Sequence, residues 1–227
     1  MNYFILLCGG IGKRFGTIKP KQYQKLYKNK PVFYYSLKTA LESEIFDYYF
    51  IAADSKYFSY IKKYMSELKI DNFKLVQSGE SRQQSVFVSL SSVLSPKEDD
   101  IVFIHDSVRP LVKKSFYTKL LIEVKKHKSA IPYSNEHSSI YDLDSLHYLD
   151  RTKILSVETP QCFFLKEILI AHQKAILNHI TDVSDDGYLY QKYLRIPNLV
   201  YNPDINIKIT NKYDLIYVKE ILKNENR

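Results

Sequence analysis

Residues 4–23 read FILLCGGIGKRFGTIKPKQY, and the reading of the whole chain turns on them. Phe4 to Cys8 is an apolar run with the length of a buried strand. It breaks at Gly9-Gly10, and Gly12 follows two positions later. Lys13, Arg14, Lys19 and Lys21 then place four cations within nine positions. A strand that opens into a glycine loop exposes backbone N–H groups, and glycine lets an anion approach them closely. Cations just beyond the loop point to a polyphosphate. The plainer reading is a tight turn with a solvated basic loop behind it, and the rest of the chain has to decide between the two.

Outward from the loop, strands and helices alternate. Pro31 to Glu42 has apolar residues at helical spacing, with Pro31 suited to a first turn. Tyr48 to Ala53 is a strand run ending at Asp54, Tyr57 to Leu68 a helix, and Lys74 to Gln77 a short strand. Ser78-Gly79-Glu80-Ser81-Arg82 precedes a helix from Gln84 to Leu94. Ile101 to Ile104 is a strand followed by His105-Asp106, and Ser115 to Lys126 is a helix. This rhythm fits right-handed β-α-β units, so the expected class is α/β with a mostly parallel, twisted sheet flanked by helices. From about residue 130 to 157 no helical period is visible. That stretch reads as a β-arm leaving the sheet. A helix from Leu165 to Leu177, an acidic turn from Thr181 to Gly187, a last strand from Asn206 to Ile209 and a closing helix from Asn211 to Asn224 complete the order. At 227 residues with 45% hydrophobic content, residues 1–227 are expected to form one domain.

Composition excludes several classes. No apolar run approaches the roughly 20 residues that span a bilayer, so no membrane partner is expected. The start lacks the charged, apolar and small-residue regions of a signal peptide, and a cytoplasmic location is expected. Two cysteines, Cys8 and Cys162, make no disulfide framework or zinc spacing. A net charge of +8 asks for an anionic partner. The cations are spread along the chain and no nucleic-acid module is visible, so nucleotide phosphates are preferred to nucleic acid.

Ligands of open parallel sheets bind outside the carboxyl ends of the strands. Three polar clusters fall there: the glycine loop, Ser78 to Ser85, and His105 to Pro110. An acid such as Asp106 in that place can hold a ribose hydroxyl or a phosphate-bound metal ion. Gly10-Ile11-Gly12 lacks the third glycine of the dinucleotide pattern, and Gly12-Lys13 is followed by Arg14 rather than Ser or Thr. Hydride transfer and P-loop hydrolysis are both demoted.

The motifs carry a resemblance. Gly9-Gly10-Ile11-Gly12-Lys13-Arg14-Phe15 with Pro20-Lys21-Gln22 is similar to the signature of polyol-phosphate nucleotidyltransferases. Gly79 to Arg82 with Ser85-Val86, His105 to Pro110, Leu149-Asp150-Arg151, Thr159-Pro160-Gln161 and Asn206 to Thr210 narrow it. In that order, across residues 4–215, the set resembles the 2-C-methyl-D-erythritol 4-phosphate cytidylyltransferases. The resemblance implies a Rossmann-like nucleotidyltransferase fold and a transfer from CTP to a methylerythritol phosphate in non-mevalonate isoprenoid synthesis. It implies magnesium bound with the triphosphate and a homodimer with interlocked arms. By the same resemblance, Arg14, Lys21, Arg151 and Lys208 are catalytic. Cys8, Gly9, Gly10, Gly12, Gly79, Glu80, Arg82, Ser85 and Asp106 surround the nucleotide. Asp106, Arg109, Ser139, Arg151, Thr159 and Lys208 face the alcohol phosphate, and Asp106 serves the metal. Arg151 would reach the partner subunit's site.

The chain also departs from the pattern. Many members have Ala-Ala-Gly where Cys8-Gly9-Gly10 stands, and the Gly-Gly form is common in the sister ribitol-5-phosphate cytidylyltransferases. That keeps ribitol 5-phosphate as the alternative substrate. Ser139 is the nearest counterpart of an arm threonine. Lys13 and Lys19 read as solvated, His105 as orienting its turn, Asp185 and Asp186 as helix-capping, and Cys162 as core. The tyrosines show no spacing that makes a base-stacking platform.

Overall fold

The computed structural model describes residues 1–10 and 19–225. Gly12, Lys13 and Arg14 therefore lie outside the described residues. An eight-stranded sheet forms the middle layer, in the order β10-β5-β9-β4-β1-β2-β3, with β8 paired to β5. β1 (Asn2–Leu7), β2 (Tyr48–Ala53), β3 (Phe73–Gln77) and β4 (Ile101–Asp106) are parallel neighbours. β9 (Gln161–Phe164) runs antiparallel between β4 and β5 (Ser129–Asn135), and β10 (Leu199–Tyr201) is parallel to β5.

Alternation along the central strands explains why both sheet faces are covered. Phe4 and Leu6 of β1, with Ile101 and Phe103 of β4, pack with Phe33, Leu37, Ile61, Tyr117 and Leu120. Those partners belong to α1 (Val32–Glu42), α2 (Phe58–Glu67) and α4 (Lys114–His127). Tyr3, Ile5, Val102 and Ile104 point the other way, to Val86, Leu90, Ile168 and Leu189. These come from α3 (Arg82–Ser91), α5 (Leu165–Leu177) and α6 (Asp186–Tyr193). A strand that is apolar on both sides is what a parallel sheet needs, because its crossover helices cover both faces. The last helix, α7 (Lys212–Asn224), starts at a capping box on Asn211 and buries Val218 and Leu222 against Val32, Leu111 and Ile209.

Three expectations are corrected. His105 and Asp106 do not follow β4 but are its last two residues, in register with Leu6 and Leu7. Asn206 to Ile209 form no strand: Ile209 N–H donates to Val108 O at 2.9 Å, while the Asn206 amide is drawn to Glu158 and the Thr159 carbonyl. The final strand is instead Leu199–Tyr201, a three-residue run between Pro197 and Pro203 and too short to show alternation. The stretch expected to leave the sheet near residue 130 leaves it later. β5 is paired on both sides and Ala130 and Ile131 are buried. What stands away from the sheet is the hairpin of β6 (Ile140–Asp142) and β7 (His147–Leu149), before β8 (Leu155–Val157) returns to β5. Among the described residues, no helix is long and apolar enough to cross a membrane.

Candidate active site

The carboxyl ends of β1, β2, β3 and β4 surround a cavity of about 690 Å³. Gly9 and Gly10 follow β1, Asp54 follows β2, Gln77 to Arg82 end β3 and open α3, and Asp106 to Val108 end β4; Lys21, Lys208 and Thr210 complete the wall. Buried side chains hold the glycine loop. Gln22 Nε2 donates to Cys8 O and to Gly10 O, each at 2.7 Å, and the Tyr23 hydroxyl donates to Cys8 O at 3.1 Å. Two carbonyls that a glycine turn would leave without partners are thereby satisfied. The Ser107 hydroxyl ties β4 to β1 by donating to Leu7 O at 2.6 Å.

Two glycines are fixed by crowding. A Cβ on Gly9 would lie 2.3 Å from Ser78 Cβ, and one on Gly79 would lie 2.5 Å from Gln84 Cγ. Gly10 is different, since among the described residues a Cβ there meets nothing within 4 Å. Ser81 caps α3 by accepting from Gln84 N, and Ser85 Oγ accepts from Gly79 N while donating to Ser81 O. The N-terminal turn of α3 thus faces the cavity with its positive dipole end.

The charge centre is Asp106. Lys208 Nζ lies 2.7 Å from its Oδ2, and Arg82 Nε donates to its Oδ1 at 3.4 Å. Burial would raise the Asp106 carboxyl, but the charges of Arg82, Lys208 and Arg109 hold it well below the usual carboxylate range. It is an anion throughout the physiological range. His105, beside it, is fully buried, and burial pushes its pKa down to about 4. Asp106 N–H donates to Thr159 Oγ1 at 3.1 Å, so the threonine hydroxyl is free to donate to His105 Nδ1 at 3.0 Å. His105 Nε2–H then donates to Arg109 O at 3.1 Å. The imidazole is neutral and orients the end of β4.

A glycine loop, an acid–lysine pair and converging helix and strand ends describe a nucleotide-binding sheet edge. The family described as "IspD: 2-C-methyl-D-erythritol 4-phosphate cytidylyltransferase" matches residues 3–224. The chain belongs to this family. It is 33% identical over 228 residues to the 2-C-methyl-D-erythritol 4-phosphate cytidylyltransferase of Clostridium beijerinckii, covering 97% of each chain. It is 31% identical over 229 residues to the ribitol-5-phosphate cytidylyltransferase of Vibrio parahaemolyticus, covering 98% of this chain and 96% of that one. The crystal structure of the Francisella tularensis 2-C-methyl-D-erythritol 4-phosphate cytidylyltransferase superposes with a TM-score of 0.82 at 26% identity, over 96% of this chain and 98% of that one.

Within this cytidylyltransferase fold, Gly9, Gly10, Lys21, Gly79, Glu80, Arg82, Ser85, Asp106 and Lys208 come together at the cavity. Cys8 stays behind the wall with a buried thiol that burial pushes up to about 12, and contributes its carbonyl to the loop's support. Thr159 is buried beside the end of β4, and the half-buried Arg109 donates from Nη1 to Asn206 O at 2.7 Å. Neither lines the cavity. Ser139 and Arg151 sit on the exposed arm, and Arg151 Nη1 donates to His137 O at 2.8 Å. Arg14 and Gly12 lie outside the described residues. Sequence reasoning gave no role to Gln22, Tyr23, Ser78 or Ser107. The signals for Gln22 are its place in the Pro20-Lys21-Gln22 motif and an amide set directly behind a run of cations. Asp185 caps α6 as expected, accepting from Tyr188 N at 2.8 Å. Asp186 does not act as a cap: it is fully buried and meets Arg82 across 104 residues of sequence.

Proposed function

We propose that this cavity joins CTP to 2-C-methyl-D-erythritol 4-phosphate and releases pyrophosphate, a step of non-mevalonate isoprenoid biosynthesis. The observation that carries the reading is the meeting of the Gly9-Gly10 turn, Lys21 and the Asp106–Lys208 pair at one sheet edge, in a chain that matches the family from residue 3 to 224. A phosphate oxygen of the alcohol phosphate attacks the α-phosphorus of CTP and forms the new P–O bond. The bond from that phosphorus to its bridging oxygen breaks, and the electron pair leaves with pyrophosphate. The attacking phosphate is already an anion, so no general base is required. What the site must supply is positive charge where negative charge builds on the phosphorus. Lys21 and Arg14 serve the triphosphate, and Lys208 serves the alcohol phosphate. Gly9, Gly10 and Gly79 leave backbone groups to read the pyrimidine.

Magnesium bound with the triphosphate supplies further charge neutralisation. Asp106 fits as a single carboxylate ligand beside phosphate oxygens, the usual way magnesium is held at nucleotides. Among the described residues no group of three His, Cys, Asp or Glu side chains is placed to hold the ion alone. A homodimer completes the reading. Leu143, Leu146 and Tyr148 on the arm hairpin are exposed, and a second copy of the chain would cover them. Arg151 and Ser139 would then act in the partner's cavity. A cytoplasmic location goes with these substrates.

Ribitol 5-phosphate is the alternative, favoured by the Gly9-Gly10 pair and by the 31% identical relative. Pyrophosphate release from CTP, measured with each alcohol phosphate side by side, separates the two. Higher kcat/KM with methylerythritol phosphate is expected, and weaker turnover when UTP replaces CTP. Preference for ribitol 5-phosphate would move the enzyme to the sister activity, and no release with either would overturn cytidylyl transfer.

A further inference from the structure

Asp186 and His172 are both fully buried, and neither lines the cavity. His172 Nε2 lies 3.0 Å from Asp186 Oδ1, and Arg82 Nη1 donates to Asp186 Oδ2 at 2.8 Å. A carboxylate this far from water is tolerated only when paired and hydrogen-bonded. Burial would raise it, yet Arg82 and His172 keep it below its ordinary range. Arg82 is therefore anchored at its far end. Its Nε reaches Asp106 Oδ1 at 3.4 Å, and its Nη2 is buried without a partner among the described residues.

Asp106 thus contacts two cations of different kinds, with the charge of Arg109 nearby. The Arg82 side chain is 19% exposed and clamped between two carboxylates, whereas the Lys208 side chain is 40% exposed and, among the described residues, pairs with Asp106 alone. A planar guanidinium fork can serve two acids at once, while an ammonium on a flexible stem is a movable point charge.

We infer that Arg82 is a positioning residue: held by Asp186, it is the fixed counter-ion of Asp106, and this leaves Lys208 free to turn from Asp106 to the phosphate of the incoming alcohol substrate. The inference rests on the proposed reaction, in which Lys208 meets that phosphate. Without Arg82, turning Lys208 away would leave the buried carboxylate with no cationic side chain in direct contact among the described residues, which is disfavoured. With Arg82 in place, Asp106 remains paired through the exchange. Arg82 then acts on the alcohol-phosphate half of the reaction, through Lys208, rather than on the nucleotide.

The test is the double variant Arg82→Gln/Asp186→Asn, which replaces the buried ion pair by a neutral hydrogen-bonded pair and leaves Asp106 with Lys208. KM for each substrate is measured by pyrophosphate release with the other held saturating. The expected result is a rise of about tenfold or more in KM for the alcohol phosphate, the scale of one charged hydrogen bond, with KM for CTP within about twofold. A purely structural role would move both constants together. An equal or larger rise in KM for CTP, or no change in either, would overturn the inference. Should the double variant lack a cooperative melting transition, Arg82→Lys is used instead. It keeps the charge but cannot bridge both carboxylates, and the same split is expected; wild-type constants for Arg82→Lys would overturn the role. Wild-type protein is the control for the underlying reading. If it releases no pyrophosphate with any alcohol phosphate, the reaction itself is wrong and the inference falls with it.

Discussion

Placing a methyl group on Gly9 tests how the glycine loop is held. The added Cβ would sit 2.3 Å from Ser78 Cβ and 2.6 Å from Ser78 Oγ. Carbon atoms pack at about 3.5–4.0 Å, so the end of β1 and the end of β3 would have to part by about 1.2 Å or more. Rotating the serine hydroxyl does not relieve the clash, because the first atom met is the Cβ itself. Both segments line the cavity, so the displacement lands on the nucleotide side of the site. A misplacement of about 1 Å costs on the order of 10²-fold in rate, and overpacking of this kind costs about 1–3 kcal/mol in stability. Gly9→Ala is therefore expected to lower kcat/KM for CTP about a hundredfold and to lower the denaturation midpoint. The structure also names the remedy. With Ser78→Gly the nearest remaining Ser78 atom is the backbone Cα at 3.8 Å, an ordinary contact. Gly9→Ala/Ser78→Gly should regain most of the lost activity and stability. The measurements are pyrophosphate release against CTP concentration and urea unfolding of the four proteins in the cycle. Wild-type behaviour of Gly9→Ala, or a double variant no better than Gly9→Ala alone, would refute the reasoning.

Gln22→Ala leaves the Gly10 carbonyl without its side-chain donor and the Cys8 carbonyl with Tyr23 alone, so a loss of about 1–3 kcal/mol and a raised KM for CTP are expected, checked by urea unfolding and initial rates. His105 adds a pH dependence of known sign. Burial lowers its pKa from 6.5 to about 4, so the unfolded chain binds the proton more readily, and stability present above pH 6.5 is lost as the pH falls toward 4. Between pH 7 and pH 5 the wild type should lose about 2 kcal/mol more than His105→Asn, and parallel pH profiles would remove His105 as the cause. Lys21→Ala is expected to lower turnover by on the order of 10²–10³, and an effect below tenfold would take Lys21 off the triphosphate. Mixing Lys21→Ala with Arg151→Ala subunits should recover about a quarter of wild-type activity if Arg151 acts across a two-fold interface; proven subunit exchange without recovery would place Arg151 in its own subunit or outside the chemistry.

The sheet was legible in the sequence because its evidence is local. Apolar runs such as Phe4 to Cys8 and Tyr48 to Ala53, separated by helical periods, have few arrangements open to them, and the β-α-β rule leaves nearly one. The positions of the glycine loop, Ser78 to Ser85 and Asp106 at one sheet edge followed from that topology alone, since each lies at the carboxyl end of a parallel strand. Lys208 is singled out by its motif and lines the cavity, although the strand expected to carry it does not form. Contacts between distant segments were decided by tertiary structure. Nothing near Gly9 in sequence says that Ser78 occupies the space of its missing side chain. Asp186 looks like a capping acid because a neighbour in sequence would use it so, but α6 takes Asp185 as its cap and turns Asp186 inward to Arg82. Thr159 and Arg109, which the resemblance places against the substrate, also make contacts that no local pattern shows: Asp106 N–H donates to Thr159 Oγ1, and Arg109 Nη1 donates to Asn206 O. Local pattern reports which element a residue belongs to and which face it takes. Whether a polar side chain meets ligand or protein depends on what another part of the chain places within about 3 Å of it, and only the folded molecule decides that.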